Sequence, residues 1–391
     1  MRLGIITHKR FETDGDSFAS RGGFGRSVEV LGDYFDEVLL FVPVHLAEKP
    51  VGYVIQRKNF RYVPLPPNNG RTDELRHLHR TYSILRDGIK DCDVLQVRVG
   101  SVIAAAGLLA ARQARKPFFV SIATDDMSVR RAHGPFLKIL PMGPISLATE
   151  LVTRNLARGQ FCFVLGSALH DLYGRYTPFV HETVETVLGM RDLLPPRPRC
   201  EKDRVRILFV GRLSREKGLT YLVDALTLTR PNVCLDIVGD GGEGASLQAQ
   251  VMGRGLQERV TFCGYVPMGE RLWQHYEKAD IFVLPSLSEA QGKVILEAQA
   301  RSVPVIASKV GGIPTLIQDR SNGLLVRAGS PQALAAAIEE IIADVPLREH
   351  IINAGLMTAR RFTMEEVTEE QIRLLNEHFG LGIQRRSAVA T

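Results

Sequence analysis

Two carboxylates bracketing a helix start are the part of this sequence best suited to chemistry. In Pro285-Ser286-Leu287-Ser288-Glu289-Ala290-Gln291-Gly292-Lys293-Val294-Ile295-Leu296-Glu297 an apolar strand runs into a short loop, and a helix begins near Gly292. Glu289 precedes that start and Glu297 lies about five residues inside it, an axial separation on the order of 7–8 Å at 1.5 Å per residue. Between them the backbone amides of Gly292, Lys293 and Val294 point out of the helix end, where the dipole favours negative charge. A diphosphate fits there. Each acid alone also has a structural reading, Glu289 as a helix cap and Glu297 as part of a solvated helix face.

A second cluster is cationic. Gly211-Arg212-Leu213-Ser214-Arg215-Glu216-Lys217-Gly218 follows the apolar run Val205–Val210 and precedes the helical pattern Leu219–Thr227, which puts two or three cations at the carboxyl end of a strand. A forked guanidinium and a flexible ammonium clamp a diphosphate from two sides. The alternative is a basic surface turn with Gly218 at the bend. Arg212 and Lys217 are the candidate ligands, and Arg215 and Glu216 are read as solvated charges. In the first half, Arg21-Gly22-Gly23-Phe24-Gly25 lies between the first strand and a helix beginning near Ser27. Glycines there let the backbone approach a phosphate closely. The segment does not satisfy G-x-G-x-x-G, because the register from Gly23 ends on Val28, and this disfavours a nicotinamide cofactor. A flexible loop is the alternative reading.

Other chemistries find less support. Asp91-Cys92-Asp93 and Asp14-Gly15-Asp16 match D-x-D, but a cation would need further oxygen ligands, and Asp91 and Asp93 read as the polar lead into a strand. The ten histidines show no H-E-x-x-H spacing, and there is no G-x-S-x-G elbow. No metal site is expected. Five cysteines without a C-x-x-C pair argue against a disulfide framework or zinc, so they are expected to be reduced and mostly buried. Arg130, Arg131, His133 and Lys138 with the apolar pattern Phe136–Leu147 make either a basic amphipathic surface for an anionic acceptor or membrane, or a mobile loop with an ordinary buried face.

Short apolar runs alternate with helical patterns throughout, the signature of parallel sheets in an α/β protein. At 391 residues, two domains are the natural division. Strands are predicted at Leu3–Thr7, Glu37–Val42, Val94–Val97, Pro117–Ile122 and Phe161–Leu165 in the first, with helices at Ser27–Phe35 and Ser101–Ala114. The polar, proline-rich residues 190–204 are read as a linker between an N-terminal domain, 1–189, and a C-terminal one, 205–362. In the latter, strands are predicted at Val205–Val210, Cys234–Val238, Val260–Cys263, Ile281–Pro285, Val305–Ser308 and Gly323–Val326, and a charged helix is predicted at Thr363–Phe379. Two Rossmann-like domains place their ligand at the carboxyl ends of the strands, in a cleft between the halves.

Formal charge is +6, and the excess lies in the first half, with 24 Lys and Arg against 19 Asp and Glu in residues 1–190. That balance suits an anionic acceptor, an anionic membrane surface or an ordinary solvated surface, and it is too diffuse for nucleic acid. The apolar stretch Val102–Ala111 is far shorter than the roughly 20 residues of a spanning helix. The N-terminus lacks the pattern of a secretory signal. A cytoplasmic protein is expected.

Gly211-Arg212-Leu213 with Glu216-Lys217-Gly218, then Val238-Gly239-Asp240-Gly241, then Glu289-x7-Glu297, then Pro304-Val305-Ile306-Ala307-Ser308 with Gly311-Gly312 resemble, in order and spacing, the signatures of the GT4 family of GT-B glycosyltransferases, also called group 1. The resemblance runs from about residue 205 to 330 and extends more weakly over nearly the whole chain. It implies two Rossmann-like domains facing across a cleft, a donor bound mainly by 205–330 and an acceptor mainly by 1–190, with the last helix, about 363–391, crossing back onto the first domain. It further implies that Arg212 and Lys217 hold the diphosphate, that Glu297 accepts from the ribose hydroxyls, and that Glu289 faces the transferred sugar. Gly23 would face the donor. Backbone at Tyr265 and Val266 would meet the base, although a plain strand-to-helix turn explains those residues almost as well.

The implied activity is sugar transfer with retention, without a metal or a separate cofactor, from a nucleotide diphosphate sugar, uridine diphosphate being the commonest carrier. The acceptor is open among a small molecule, a glycan and a lipid-linked compound, with peripheral membrane contact left open too. Two departures stand out. Ala123-Thr124-Asp125-Asp126 occupies the place where many members carry a histidine, and the common Gly-Phe-Gly after the first glutamate reads Ala290-Gln291-Gly292. A sugar-nucleotide epimerase and a catalytically silent nucleotide-sugar-binding protein are the alternatives.

Overall fold

The computed structural model describes residues 1–20, 23–123, 143–289 and 291–386. The chain divides into two units, one formed by Met1–Val187 with Val367–Thr391 and the other by Leu188–Glu366.

The first unit is built on β1 (Arg2–Ile6), β2 (Phe11–Thr13), β3 (Phe18–Ser20), β4 (Glu37–Leu46), β5 (Tyr53–Val54), β6 (Phe60–Leu65), β7 (Val94–Arg98), β8 (Phe118–Ile122), β9 (Phe161–Leu165) and β10 (Val180–Thr183). The strand order is β10-β9-β8-β7-β1-β4-β2-β3-β5, with β6 also paired to β4. Alternate residues of β4 serve opposite faces: Leu39 and Phe41 join one apolar cluster, and Val38, Leu40 and Val42 join the other. That two-residue period is what a strand covered on both faces requires. Ile372 and Leu375, from the helix Met364–Phe379, complete the second cluster.

Two features of this sheet differ from the sequence expectation. The small strands β2, β3 and β5 pair antiparallel, adding a ribbon to an otherwise parallel sheet. The helix expected at Ser27–Phe35 starts earlier, at Phe24–Glu29, and then tightens into a 3₁₀ turn at Val30–Asp33.

The second unit holds β11 (Val205–Val210), β12 (Val233–Val238), β13 (Val260–Gly264), β14 (Ile281–Leu284), β15 (Val305–Ser308) and β16 (Leu324–Val326), in the order β13-β12-β11-β14-β15-β16. All five pairings are parallel. Every residue of β14 and β15 is buried, which explains why these strands read as unbroken apolar runs. Because the strands are parallel, their carboxyl ends open on one edge of the sheet.

Residues 190–204 are part of this second unit. Arg199 is 4% exposed and donates to the carbonyls of Ser302 at 3.1 Å, Glu277 at 2.9 Å and Arg301 at 2.6 Å, and to that of Ala279. Leu194 N donates to Ala300 O at 2.8 Å, and Ser302 Oγ returns a bond to Leu194 O at 2.7 Å. Removing the guanidinium strands several buried carbonyls, so Arg199→Ala is expected to lower stability by at least about 3 kcal/mol. The buried Trp273, the single tryptophan of the chain, reports this as a lower urea midpoint of fluorescence. An unchanged midpoint would show that the segment is only tethered. Among the described residues no helix is long and apolar enough to cross a membrane.

Candidate functional site

The carboxyl edge of the second sheet gathers the motif residues. Arg212 and Lys217 follow β11, Tyr265 and Val266 follow β13, and Glu289 and Gly292 follow β14. Main-chain bonds join these turns: Leu213 N donates to Asp240 O at 2.7 Å, Gly239 N to Gly264 O at 2.8 Å, and Gly312 N to Glu289 O at 3.1 Å. The loop before Glu289 is tied to the cationic turn, since Leu287 N donates to Glu216 O at 2.7 Å.

Two glycines make this closeness possible. A Cβ on Gly218, whose φ is +67°, would sit 2.1 Å from Pro285 O, and one on Gly311, with φ +51°, would sit 1.8 Å from Glu289 O. Both therefore combine a left-handed backbone with a contact that excludes any side chain.

Lys217 and Glu289, 72 positions apart, form an ion pair of 2.5 Å, with side chains 18% and 12% exposed. Ser286, fully buried, donates its hydroxyl to the same carboxylate oxygen at 3.3 Å. Glu289 is thus held from two sides and is not a simple helix cap. Arg212 is exposed and, among the described residues, forms no ion pair. Arg215 is exposed as well. Glu216 accepts from Ser214 Oγ at 2.6 Å, and this bond holds its carboxyl below the usual carboxylate range.

Gly292 is the N-cap of the helix Lys293–Ala300, so the first-turn amides of that helix lie next to Glu289 in the chain. Glu297 is 6% exposed, which removes the solvated-face alternative. The fully buried Tyr276 donates its hydroxyl to Glu297 Oε2 at 2.7 Å, and burial together with the adjacent carboxylate pushes that phenol well above its ordinary value. Tyr265 is 67% exposed and Val266 half-buried.

Gly23 lies in the first unit as the N-cap of the helix Phe24–Glu29, where a Cβ would meet Val187 Cγ1 at 2.0 Å. Close packing against Val187 is a local reason for glycine at that position. Arg21, Gly22, Ala290, Thr124, Asp125, Asp126, Arg130, Arg131, His133 and Lys138 lie outside the described residues. The D-x-D acids are engaged elsewhere: Asp91 pairs with Arg61 at 3.0 Å, Asp93 accepts from Arg2 N at 2.7 Å, and Asp14 caps its own turn through Asp16 N at 3.1 Å and Ser17 N at 2.9 Å. Among the described residues no group of three His, Cys, Asp or Glu is placed to hold a metal.

Sequence reasoning passed over Ser286 and Tyr276. The spacing Ser286-x-x-Glu289 gives a faint signal for the first. Nothing in the sequence links Tyr276 to Glu297.

Comparison with known proteins completes the picture. Residues 191–357 match the family described as glycosyl transferases group 1. An uncharacterised glycosyltransferase of Methanocaldococcus jannaschii is 34% identical over 175 residues, which is 44% of this chain and 45% of that protein. The D-inositol 3-phosphate glycosyltransferase of Jonesia denitrificans is 36% identical over 227 residues, 52% of this chain and 53% of its own length. The chain therefore spans about half the length of these curated relatives in the match. Among solved structures, Anabaena HepE in complex with UDP shares the fold at a TM-score of 0.69 and 20% identity, over 96% of this chain and 99% of HepE. Residues 191–357 are thus similar to the glycosyl transferases of group 1, and the two α/β units have the GT-B fold.

Proposed function

We propose that this chain is a retaining, metal-independent glycosyltransferase that moves a sugar from a nucleotide diphosphate donor, with uridine diphosphate as the carrier, to an acceptor hydroxyl. The observation that carries the reading is the Lys217–Glu289 ion pair at the carboxyl edge shared by β11 and β14, beside the helix start at Gly292. Arg212 and Lys217 supply charge for the diphosphate, and the amides of Gly292, Lys293 and Val294 supply aligned donors for it. Glu297 is assigned to the ribose hydroxyls; a carboxylate offers about four lone-pair sites, so the bond from Tyr276 does not by itself prevent this. Tyr265 and Val266 are assigned to the base end. HepE binds UDP in its solved complex, which favours uridine.

In the reaction, the bond from the anomeric carbon to the diphosphate oxygen breaks and its electron pair leaves with the diphosphate. The acceptor oxygen bonds to the same face of that carbon, and its proton passes to the departing phosphate oxygen. Glu289 stabilises the positive charge that develops at the anomeric carbon, so no protein nucleophile is needed.

Thermal shift with uridine, guanosine and adenosine diphosphates, followed by assays with their sugar derivatives, tests the reading. Uridine diphosphate at a hundredfold excess over its Kd is expected to stabilise the chain by about 2.7 kcal/mol, and the matching donor to be transferred or slowly hydrolysed. A changed sugar would show an epimerase, and binding without turnover a silent binding protein. If none of the three diphosphates shifts the melting, the donor site is wrongly placed.

A further inference from the structure

Gln291 stands between the Glu289 loop and the N-cap Gly292, and it is 8% exposed. Among the described residues neither Nε2 nor Oε1 of its carboxamide finds a hydrogen-bond partner. Burying an amide in that condition is unfavourable, whereas methionine or leucine fills a similar volume without the cost.

Other buried amides of the second unit are better satisfied. Asn322 Nδ2 donates to Leu316 O at 2.9 Å and Thr358 Oγ1 at 2.8 Å, and its Oδ1 accepts from Gln318 N at 2.8 Å. Gln299 Nε2 reaches Asn322 O at 2.9 Å, leaving only its Oε1 over. Among the described residues, Gln291 is the buried carboxamide left open at both ends.

The class of missing partner follows from which atoms lack one. A carboxamide offers two N–H donors and a carbonyl acceptor. A diphosphate only accepts, so it would engage one half. Sugar hydroxyls donate and accept, so they engage both. Lys217 can only donate and ionised Glu289 can only accept, which leaves the amide as the group suited to telling one hydroxyl arrangement from another.

We propose that Gln291 reads the hydroxyls of the transferred sugar and sets which sugar the protein accepts, an assignment that rests on the Glu289 loop being the sugar end of the donor site. The amide is covered by protein, so it meets a hydroxyl by rotating between staggered side-chain conformers. A site that hydrogen-bonds a hydroxyl discriminates far more sharply than an apolar wall of the same shape.

The test compares the full chain with Gln291→Leu and the straighter Gln291→Met, the second keeping the comparison valid should the branched side chain disturb the loop. The probes are UDP, UDP-glucose, UDP-galactose and UDP-N-acetylglucosamine, or the guanosine or adenosine counterparts if one of those diphosphates shifts the melting most. Affinity for the bare diphosphate is expected to stay within about twofold, while kcat/KM for the preferred sugar falls at least about tenfold and the preference between epimers flattens. Melting without nucleotide should stay equal or rise, because an unpartnered amide has been removed. A preference ratio unchanged within twofold, or equal losses for diphosphate and sugar nucleotide, would overturn the assignment. Should the unsubstituted chain bind no nucleoside diphosphate, the donor-site reading falls and the role of Gln291 falls with it.

Discussion

Replacing Glu289 with alanine is expected to cut sugar transfer or donor hydrolysis by at least about 100-fold while nucleoside diphosphate binds as tightly as before, or more tightly. The two effects have separate causes. A carboxylate facing a carbon that becomes positive acts on the transition state and little on the ground state, so its loss appears in kcat. Binding moves the other way because Glu289 occupies Lys217 at 2.5 Å, and deleting the acid releases that ammonium to the phosphates. Steady-state turnover and calorimetric titration with UDP separate them. Near-normal turnover would remove Glu289 from the reaction, and a parallel fall in both quantities would mean that it only holds the loop together.

Arg212→Ala should weaken diphosphate binding by about 1.5–3 kcal/mol, roughly 10- to 150-fold, the scale of a charge-assisted hydrogen bond. Arg212 is exposed and forms no ion pair among the described residues, so its removal breaks no ion pair there and the fold should melt nearly unchanged. That sets it apart from Lys217, whose loss leaves Glu289 without its cation and so affects binding and turnover together. An undiminished thermal shift by nucleoside diphosphate in Arg212→Ala would show that the phosphates lie elsewhere.

The strands of the second unit were legible because a parallel strand covered on both faces is a plain apolar run, as in Ile281–Leu284 and Val305–Ser308. The ribbon of β2, β3 and β5 was not, since two or three residues are too few to show a period. Proline and charge made 190–204 resemble a free connection, and only the structure reveals Arg199 under its shell of carbonyls. Position along the chain identified Lys217, Glu289 and Glu297 as chemically interesting. It held no information on the pairing of Lys217 with Glu289, on Tyr276 behind Glu297, or on the open amide of Gln291, because each depends on what tertiary packing brings alongside.

Gly218 against Pro285 and Gly311 against Glu289 have an evolutionary consequence. Where turns are locked backbone to backbone, their spacing does not depend on which side chains grow from them. With the donor bound as proposed, residues at its sugar end, Gln291 among them, are open to replacement without loosening the grip on the phosphates. A lineage built on this scaffold can change its cargo while keeping the handle by which every cargo is held.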